Sequence, residues 1–405
     1  MSEVFDAIVV GGGPAGSTCT SFLGREGRDV LLLDKAKFPR DKTCGDGIGA
    51  KSVKIMRELG LTNAIEKSEH GEIYGVIFSS PNGRILEIPY PSKGMKSPGY
   101  TCRRQIFDNI LFENARKYAT VMEQFSVNDL IMNGSKVIGV RGVDGDGKEM
   151  DFLGKVVVGA DGANSAVANK VGLAKMDPKH HIVALRAYYR NVKGLSRNIE
   201  LHFIESVIPG YFWIFPFESG VANVGIGMIT YDMKKKNLNL KDLMAKAMND
   251  NPLFKDRFAE AKQITEIKGW NLPLASAHRK AYGEGFVLIG DAASLIDPFT
   301  GEGVGNAMIS GRLAAEVINK AIKIDNFSSD VLKEYEVNLW KELGNEIKTS
   351  YYLQRLGRFK PLLNFVINRA YKSKKVREAI SGMLANEEAK KELVSPLFYL
   401  RLLFS

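Results

Sequence analysis

Apolar residues fall into three textures along the chain. At residues 6–16, 155–165 and 285–293 a short apolar run breaks into glycine and other small or turn residues ahead of a helix-like stretch. Such runs predict strands buried on both faces, as in a parallel sheet covered by helices. Between residues 182 and 229 the pattern alternates instead, over 183–189, 199–204, 210–217 and 221–229, which predicts an antiparallel sheet. Residues 72–78 and 84–89 alternate in the same way around Ser79-Ser-Pro-Asn-Gly83, a hairpin signal, and are assigned to that second sheet. Residues 121–129, 136–143 and 149–152 read as further strands, with Gly145-Asp-Gly147 as a turn. Helical spacing marks residues 50–59, a stretch running to Tyr118 with Ile106, Ile110 and Leu111, an amphipathic segment at 240–261, a long helix through Ile322, and the tail from 335 to 405.

These textures predict an α/β protein in discontinuous pieces. Residues 1–70, 98–180 and 275–325 form a Rossmann-type nucleotide-binding domain, residues 71–97 and 181–274 an inserted antiparallel β-sheet substrate domain, and residues 326–405 a C-terminal helical region. A length of 405 residues suits two or three domains. No run of about 20 apolar residues exists and the N-terminus enters a strand almost at once, so neither a membrane span nor a secretory signal is expected. Cys19, Cys44 and Cys102 suggest no disulfide framework, and no CxxC or His-rich cluster suggests a metal, which fits a cytoplasmic protein. The formal net charge of +10 permits an anionic partner, but its lysines and arginines are scattered and lack the aromatic interleaving of an RNA-binding surface, so nucleic acid is not expected.

Chemistry concentrates where the apolar runs end. Gly11-x-Gly13-x-x-Gly16 joins the first run to a helix, an arrangement that cradles a pyrophosphate. Gly11 takes the turn, Gly13 admits the phosphates, and Gly16 lets helix and strand pack closely. Residues 30–34 form a second buried strand ending in Asp34, placed for a ribose hydroxyl. Asp161-Gly162 and Gly290-Asp291 end two more such strands, at the sheet edge where ligands bind in open α/β folds. A ribityl hydroxyl is a natural partner for Asp291, and the N–H groups of Gly301, Gly303 and Gly305 are placed to stabilise negative charge at the N1/C2 oxygen end of a reduced flavin.

Four further features carry two readings each. Cys44 either packs at a helix start or contacts an isoalloxazine. Arg104 neutralises a phosphate or makes an ordinary salt bridge. Tyr211, Trp213 and Phe215 share one strand face, which is either sheet core or the wall of an apolar cavity. The apolar end of the tail, residues 396–404, docks on the body of the protein, with a peripheral contact at the inner face of the cell membrane as the lesser reading.

Over residues 4–325 the motifs taken in order resemble the flavoprotein superfamily of p-hydroxybenzoate hydroxylase type. Within it, Lys42-Thr-Cys-Gly-Asp-Gly47, Tyr211-x-Trp213-x-Phe215-Pro216 and Asp297-Pro-Phe-Thr-Gly-Glu-Gly303 are similar to the geranylgeranyl reductase family, whose members reduce isolated double bonds of polyprenyl chains. The resemblance implies FAD as cofactor, with contacts at Ala15, Asp34, Cys44, Gly45, Gly47, Arg104, Asp291, Gly303 and Val304, and with Val127 toward the adenine. It implies a prenyl tunnel lined by Tyr211, Trp213 and Phe215, a polyprenyl lipid as substrate, and NAD(P)H or a ferredoxin-like protein as electron donor. An isolated alkene needs a proton as well as a hydride, and Cys44 is the proton donor suggested by position. The alternatives are a flavin-dependent monooxygenase or halogenase acting on an aromatic ring, whose Trp-x-Trp-x-Ile-Pro segment the aromatic strand partly echoes, and a non-enzymatic nucleotide-binding module with a lipid-docking tail.

Overall fold

A computed structural model describes residues 4–90 and 99–385. Its central layer is a six-stranded sheet in the order Tyr282–Gly283, Phe286–Leu288, Val157–Gly159, Ala7–Val10, Val30–Leu33, Thr120–Met122, parallel except for the first pair. The apolar runs form it because residues such as Ala7-Ile-Val-Val10 and Val30-Leu-Leu-Leu33 are buried on both faces, with Val157 beside Ile8 and Val30 beside Ala7. Helices Pro14–Arg25 and Val304–Lys323 pack together against it, and Ser329–Leu356 follows, its buried Tyr335 donating to the Leu288 carbonyl at 2.9 Å.

A second sheet has eight strands. His181–Arg190, Val221–Ile229, Gly210–Pro216, Asn198–His202, Gly75–Ser79 and Ile85–Pro89 lie in that order, with Lys262–Gln263 and Lys268–Pro273 along the outer edge of His181–Arg190. The strand period of two sorts its side chains. Phe212, Ile214, Val224 and Ile226 face a core closed by Leu243, Met244 and Phe254, while Tyr211, Trp213 and Phe215 face the opposite way. Trp213 lies on Gly225 of the adjacent strand, where a Cβ would come within 2.1 Å of the indole. Val76, Leu86 and Ile88 pack beneath Ile367, Ala370, Val376 and Ile380, so helices Lys360–Lys372 and Lys374–Ala385 dock on this sheet.

Several expected boundaries change. The strand expected at 121–129 divides into Thr120–Met122 of the parallel sheet and Ser126–Asn133 of a separate four-stranded sheet, because Gln124 takes φ 56° and turns the chain. The strand at 72–78 also divides. Gly71–Ile73 pairs with Gly99–Thr101, and pairing with Asn198–His202 begins at Gly75. The helix expected over 240–261 is Leu240–Asn249 followed, after Asn251-Pro252, by the single turn Lys255–Phe258, because proline there cannot continue the first helix. The apolar end at 396–404 lies outside the described residues. No helix among the described residues is long and apolar enough to cross a membrane.

Candidate active site

The ends of the parallel strands and the inward face of the second sheet enclose one cavity of about 960 Å³. At one end the turn after Ala7–Val10 is built as its glycines require. Gly11 has φ 108°, and a Cβ on Gly16 would stand 1.8 Å from the Gly11 carbonyl oxygen. Asp34 reaches back across this turn, its carboxylate accepting from Gly12 N–H at 2.7 Å and Ala36 N–H at 2.8 Å. Gly11, Gly13, Ala15 and Asp34 line the cavity, and Gly16 lies beneath the turn, outside the lining. A Cβ on Gly13 would meet only the Arg40 guanidinium, at 3.5 Å, so the backbone there is open to a ligand and a cation stands beside it. Val127, beside Phe125, lines the same end.

Arg104 resolves toward the salt bridge. Its buried guanidinium donates to both Asp108 oxygens at 2.6 and 2.7 Å, and Arg40 joins the same carboxylate at 2.7 Å. Burial alone would pull the Arg104 pKa down, but the Asp108 carboxylate raises it by more, so the pair stays ionised. Arg104 still lines the cavity, beside the Cys44 thiol.

The loop bearing Cys44 crosses the middle of the cavity. Cys44, Gly45 and Gly47 line it, and a Cβ on either glycine would press on the Phe215 ring at 3.1–3.2 Å. Asp46 turns the other way, with φ 66°, into a wholly buried network. Its Oδ2 accepts from Tyr188 Oη at 2.5 Å and Asn223 Nδ2 at 2.7 Å. The same Asn223 amide donates to the Cys44 carbonyl at 2.7 Å and accepts from Trp213 Nε1 at 2.9 Å. Burial pushes the Asp46 carboxyl up to about 6 against those hydrogen bonds and the nearby Arg186 and Arg104 charges. One amide therefore ties the loop to the aromatic strand. Sequence reasoning missed Asp46, Tyr188 and Asn223; an acid between two glycines in Cys44-Gly-Asp-Gly47 was the available signal.

Asp161 lines the cavity and caps the helix Ala166–Lys170. It accepts from Ser165 Oγ at 2.5 Å and Ala166 N–H at 2.6 Å, which oppose the upward shift that burial imposes. Asp291 lies 3.5 Å from the Lys42 ammonium. Gly301, Gly303 and Val304 form the rim ahead of the helix Val304–Lys323, and the Thr300 carbonyl accepts from Tyr211 Oη at 2.5 Å. Burial pushes the Tyr211 phenol up, so it stays a neutral donor. Tyr211, Trp213 and Phe215 line the cavity as a continuous wall, with ring centroids 6.1 and 6.4 Å apart. Beyond them it continues between Ile199, Leu201, Phe78 and Phe299. Lys51, paired with Glu346 and with Asn306 Oδ1 at 2.9 Å, is the buried charged cluster on that side that the sequence did not disclose.

The arrangement offers an anion cradle, a half-buried thiol beside a guanidinium, and an apolar aromatic wall in one enclosure. Comparison with known proteins agrees with it. The family model of the FAD binding domain matches residues 4–336. Digeranylgeranylglycerophospholipid reductase of Methanocaldococcus jannaschii is 34% identical over 362 residues, covering 88% of this chain and 87% of that protein. Menaquinone reductase of Mycobacterium tuberculosis is 32% identical over 324 residues, covering 79% and 78%. Among solved structures, a geranylgeranyl bacteriochlorophyll reductase-like protein from Thermoplasma acidophilum superposes with a TM-score of 0.84 at 24% identity, over 97% of this chain and 99% of that one. A flavin-dependent brominase gives 0.78 at 23% identity, over 95% and 94%. At these identities both structures speak to the fold alone.

Proposed function

Because this chain belongs to the FAD-binding domain family, we propose that it is an FAD-dependent oxidoreductase that reduces carbon–carbon double bonds of a polyprenyl chain. The observation that carries the reading is the aromatic wall of Tyr211, Trp213 and Phe215 standing in the same cavity as the glycine cradle and the Cys44 loop. The residues fit the cofactor. Gly13 is open to a ligand, Asp34 reaches back across the glycine turn, and Asp291, Gly301, Gly303 and Val304 line the same enclosure. We assign Gly11, Gly13, Ala15 and Asp34 to the dinucleotide, Val127 to the adenine side, and Cys44, Gly45, Gly47, Arg104 and Asp161 to its length. The domain division stated above is part of the same reading.

When bound, reduced FAD supplies the hydride. The chain's residues then have three tasks. The aromatic wall and the apolar stretch at Ile199, Leu201 and Phe78 hold the prenyl chain and exclude water. Aromatic faces stabilise the cationic character that develops on an alkene lacking a carbonyl. The Cys44 thiol, half-buried beside Arg104, delivers the proton to the second carbon. NAD(P)H or a ferredoxin-like protein replenishes the electrons, and the lipid is met at the inner face of the membrane by peripheral contact.

Anaerobic incubation of the dithionite-reduced protein with geranylgeranyl and menaquinone substrates, read by mass, is expected to show added pairs of hydrogens. Substrates recovered unchanged overturn the proposal. Oxygen uptake coupled to NAD(P)H oxidation with an aromatic substrate would instead support the monooxygenase or halogenase reading, which rests on the likeness in fold to the brominase.

A further inference from the structure

Cations occur throughout the chain, but acids do not. Residues 347–377 hold nine lysines and arginines and neither aspartate nor glutamate, so this stretch alone carries nine of the formal net charge of +10. It begins in the last turns of the helix Ser329–Leu356, and those turns have two faces. Glu346, Ser350, Leu353 and Gln354, at helical spacing, line the cavity, and Gln354 Nε2 donates to the Pro298 carbonyl at 2.6 Å. Lys341, Lys348, Tyr352 and Arg355, on the side turned away, are exposed. The helix ends at Gly357, where a Cβ would stand 3.8 Å from the Phe299 ring of the apolar stretch. Two residues on, Phe359 is 61% exposed, and Lys360-Pro361 begin the next helix. The cavity wall therefore stops at a joint between helices whose outer side is basic and aromatic.

Lys348 and Arg355 have no carboxylate partner among the described residues, whereas Arg358 and Lys360 are held by Asp232 and Glu205. Tyr352, between the two free cations on the stripe, is 44% exposed. Exposed rings set among unneutralised cations suit a bilayer interface, where the rings enter the headgroup layer and the cations meet lipid phosphates. An acidic electron-donor protein would answer the charge alone. It gives no reason for Phe359 to stand in water at the joint, or for the stripe to lie one helix thickness, about 10 Å, from a space lined for hydrocarbon. We propose that Lys348, Tyr352, Arg355 and Phe359 form the surface by which the protein docks on an anionic bilayer. Docked in this way, it sets the joint, and with it the far end of the cavity, against the lipid that supplies the substrate. The inference rests on the polyprenyl reading above and gives its peripheral contact a place on the molecule.

The test floats the FAD-loaded, full-length protein with vesicles of phosphatidylcholine alone and of phosphatidylcholine mixed equally with phosphatidylglycerol. The wild type is expected to float with the anionic vesicles and to be released by high salt. Lys348→Gln combined with Arg355→Gln is expected to weaken that binding at least tenfold, at about fivefold per cation, and Phe359→Ser about threefold or more. These side chains are exposed, so flavin content and melting temperature are expected to stay at wild-type values. Both variants should match the wild type on a geranylgeranyl substrate dispersed in detergent and fall behind it when the substrate is embedded in anionic vesicles. The emission of Phe359→Trp should shift to the blue when those vesicles are added. A wild type that does not float, variants that float as well as it does, or an emission that the vesicles leave unchanged overturns the proposal. So does loss of binding to a reduced ferredoxin in the double variant with flotation intact, which would assign the stripe to an electron donor. If the wild type reduces no prenyl substrate in detergent or in vesicles, the polyprenyl reading fails, and flotation with the Phe359→Trp emission still upholds or removes the docking surface.

Discussion

Asp46→Asn tests the anchor of the Cys44 loop through a pH dependence. The carboxyl is wholly buried, and burial lifts it from 3.8 to about 6. A carboxyl whose pKa is higher in the folded state binds more protons there, so the stability attached to it declines as pH rises. Below 3.8 both states are protonated and it costs nothing; above about 6 both are ionised and the full cost is present. That displacement amounts to about 3 kcal/mol. Arg186 and Arg104 pull the carboxyl down, as do the Tyr188 and Asn223 hydrogen bonds, and the cost is what remains after them.

Asparagine keeps an oxygen that accepts from Tyr188 and Asn223, tolerates the φ of 66°, and never ionises. Its amide nitrogen takes the place of an Oδ1 that has no partner among the described residues, a penalty of about 1–3 kcal/mol that does not vary with pH. Relative to wild type the variant is therefore less stable at about pH 4 and gains about 3 kcal/mol by about pH 8. At roughly 1 °C per kcal/mol for a chain of 405 residues, the two melting curves shift relative to each other by about 3 °C across that range. Thermal melts of both proteins at half-unit pH intervals, with and without FAD, read the effect. A constant gap between the two proteins at every pH refutes the assignment of a raised carboxyl to Asp46.

Gly16→Ala forces a Cβ into the Gly11 carbonyl, so the purified variant is expected to lose its flavin absorbance and to melt earlier; a variant with full flavin content would show that the turn relaxes. Trp213→Ala is expected to abolish most polyprenyl reduction and to cost stability on the order of 3–5 kcal/mol. Trp213→Phe, which keeps a ring but loses the hydrogen bond to Asn223, serves as the folded comparison, and full polyprenyl turnover in either variant sinks the tunnel assignment. Cys44→Ala is expected to retain FAD and to lower turnover by roughly 10²–10⁴-fold, the worth of a positioned proton donor; a drop of less than tenfold would remove the thiol from the chemistry. Lys51→Met is expected to lower stability in urea unfolding by removing the cation that pairs with Glu346 and donates to Asn306 Oδ1, and an unchanged midpoint would show that the cluster adds nothing.

The parts of the site legible in sequence were those that one segment builds by itself. Gly11 to Gly16 and Asp34 are close in the chain, and their job follows from a strand, a turn and a helix in succession. Tyr211, Trp213 and Phe215 face one way because a strand has a period of two, although alternation alone does not say whether that face meets core or cavity. The structure decides it through the neighbouring strand, where Gly225 supplies the floor for the indole. What stayed hidden depends on contacts between distant segments. Asn223 is 177 residues from Asp46 and 179 from Cys44. No local pattern distinguishes it from any polar residue on a strand, yet it is the group through which the loop and the wall share one position.

The two readings of Arg104 could not be separated in sequence for a related reason. Its partner Asp108 is one helical turn away and could have been named, but the edge it turns to Cys44 depends on a loop arriving from another part of the chain. The split at Gln124 has the same origin, because the polar pair Glu123-Gln124 does not reveal that the residues on its two sides belong to different sheets. Only the demand that one half join the parallel sheet and the other a separate sheet breaks the strand there. The loop from Arg40 to Gly47 gathers these cases. Its side chains reach Asp108, Arg186, Asp291, Tyr188 and Asn223, so it is fixed by elements far apart in sequence. A loop held from so many sides can set Cys44 against the cavity within a narrow range, which is what delivery of a proton to one carbon of an alkene requires.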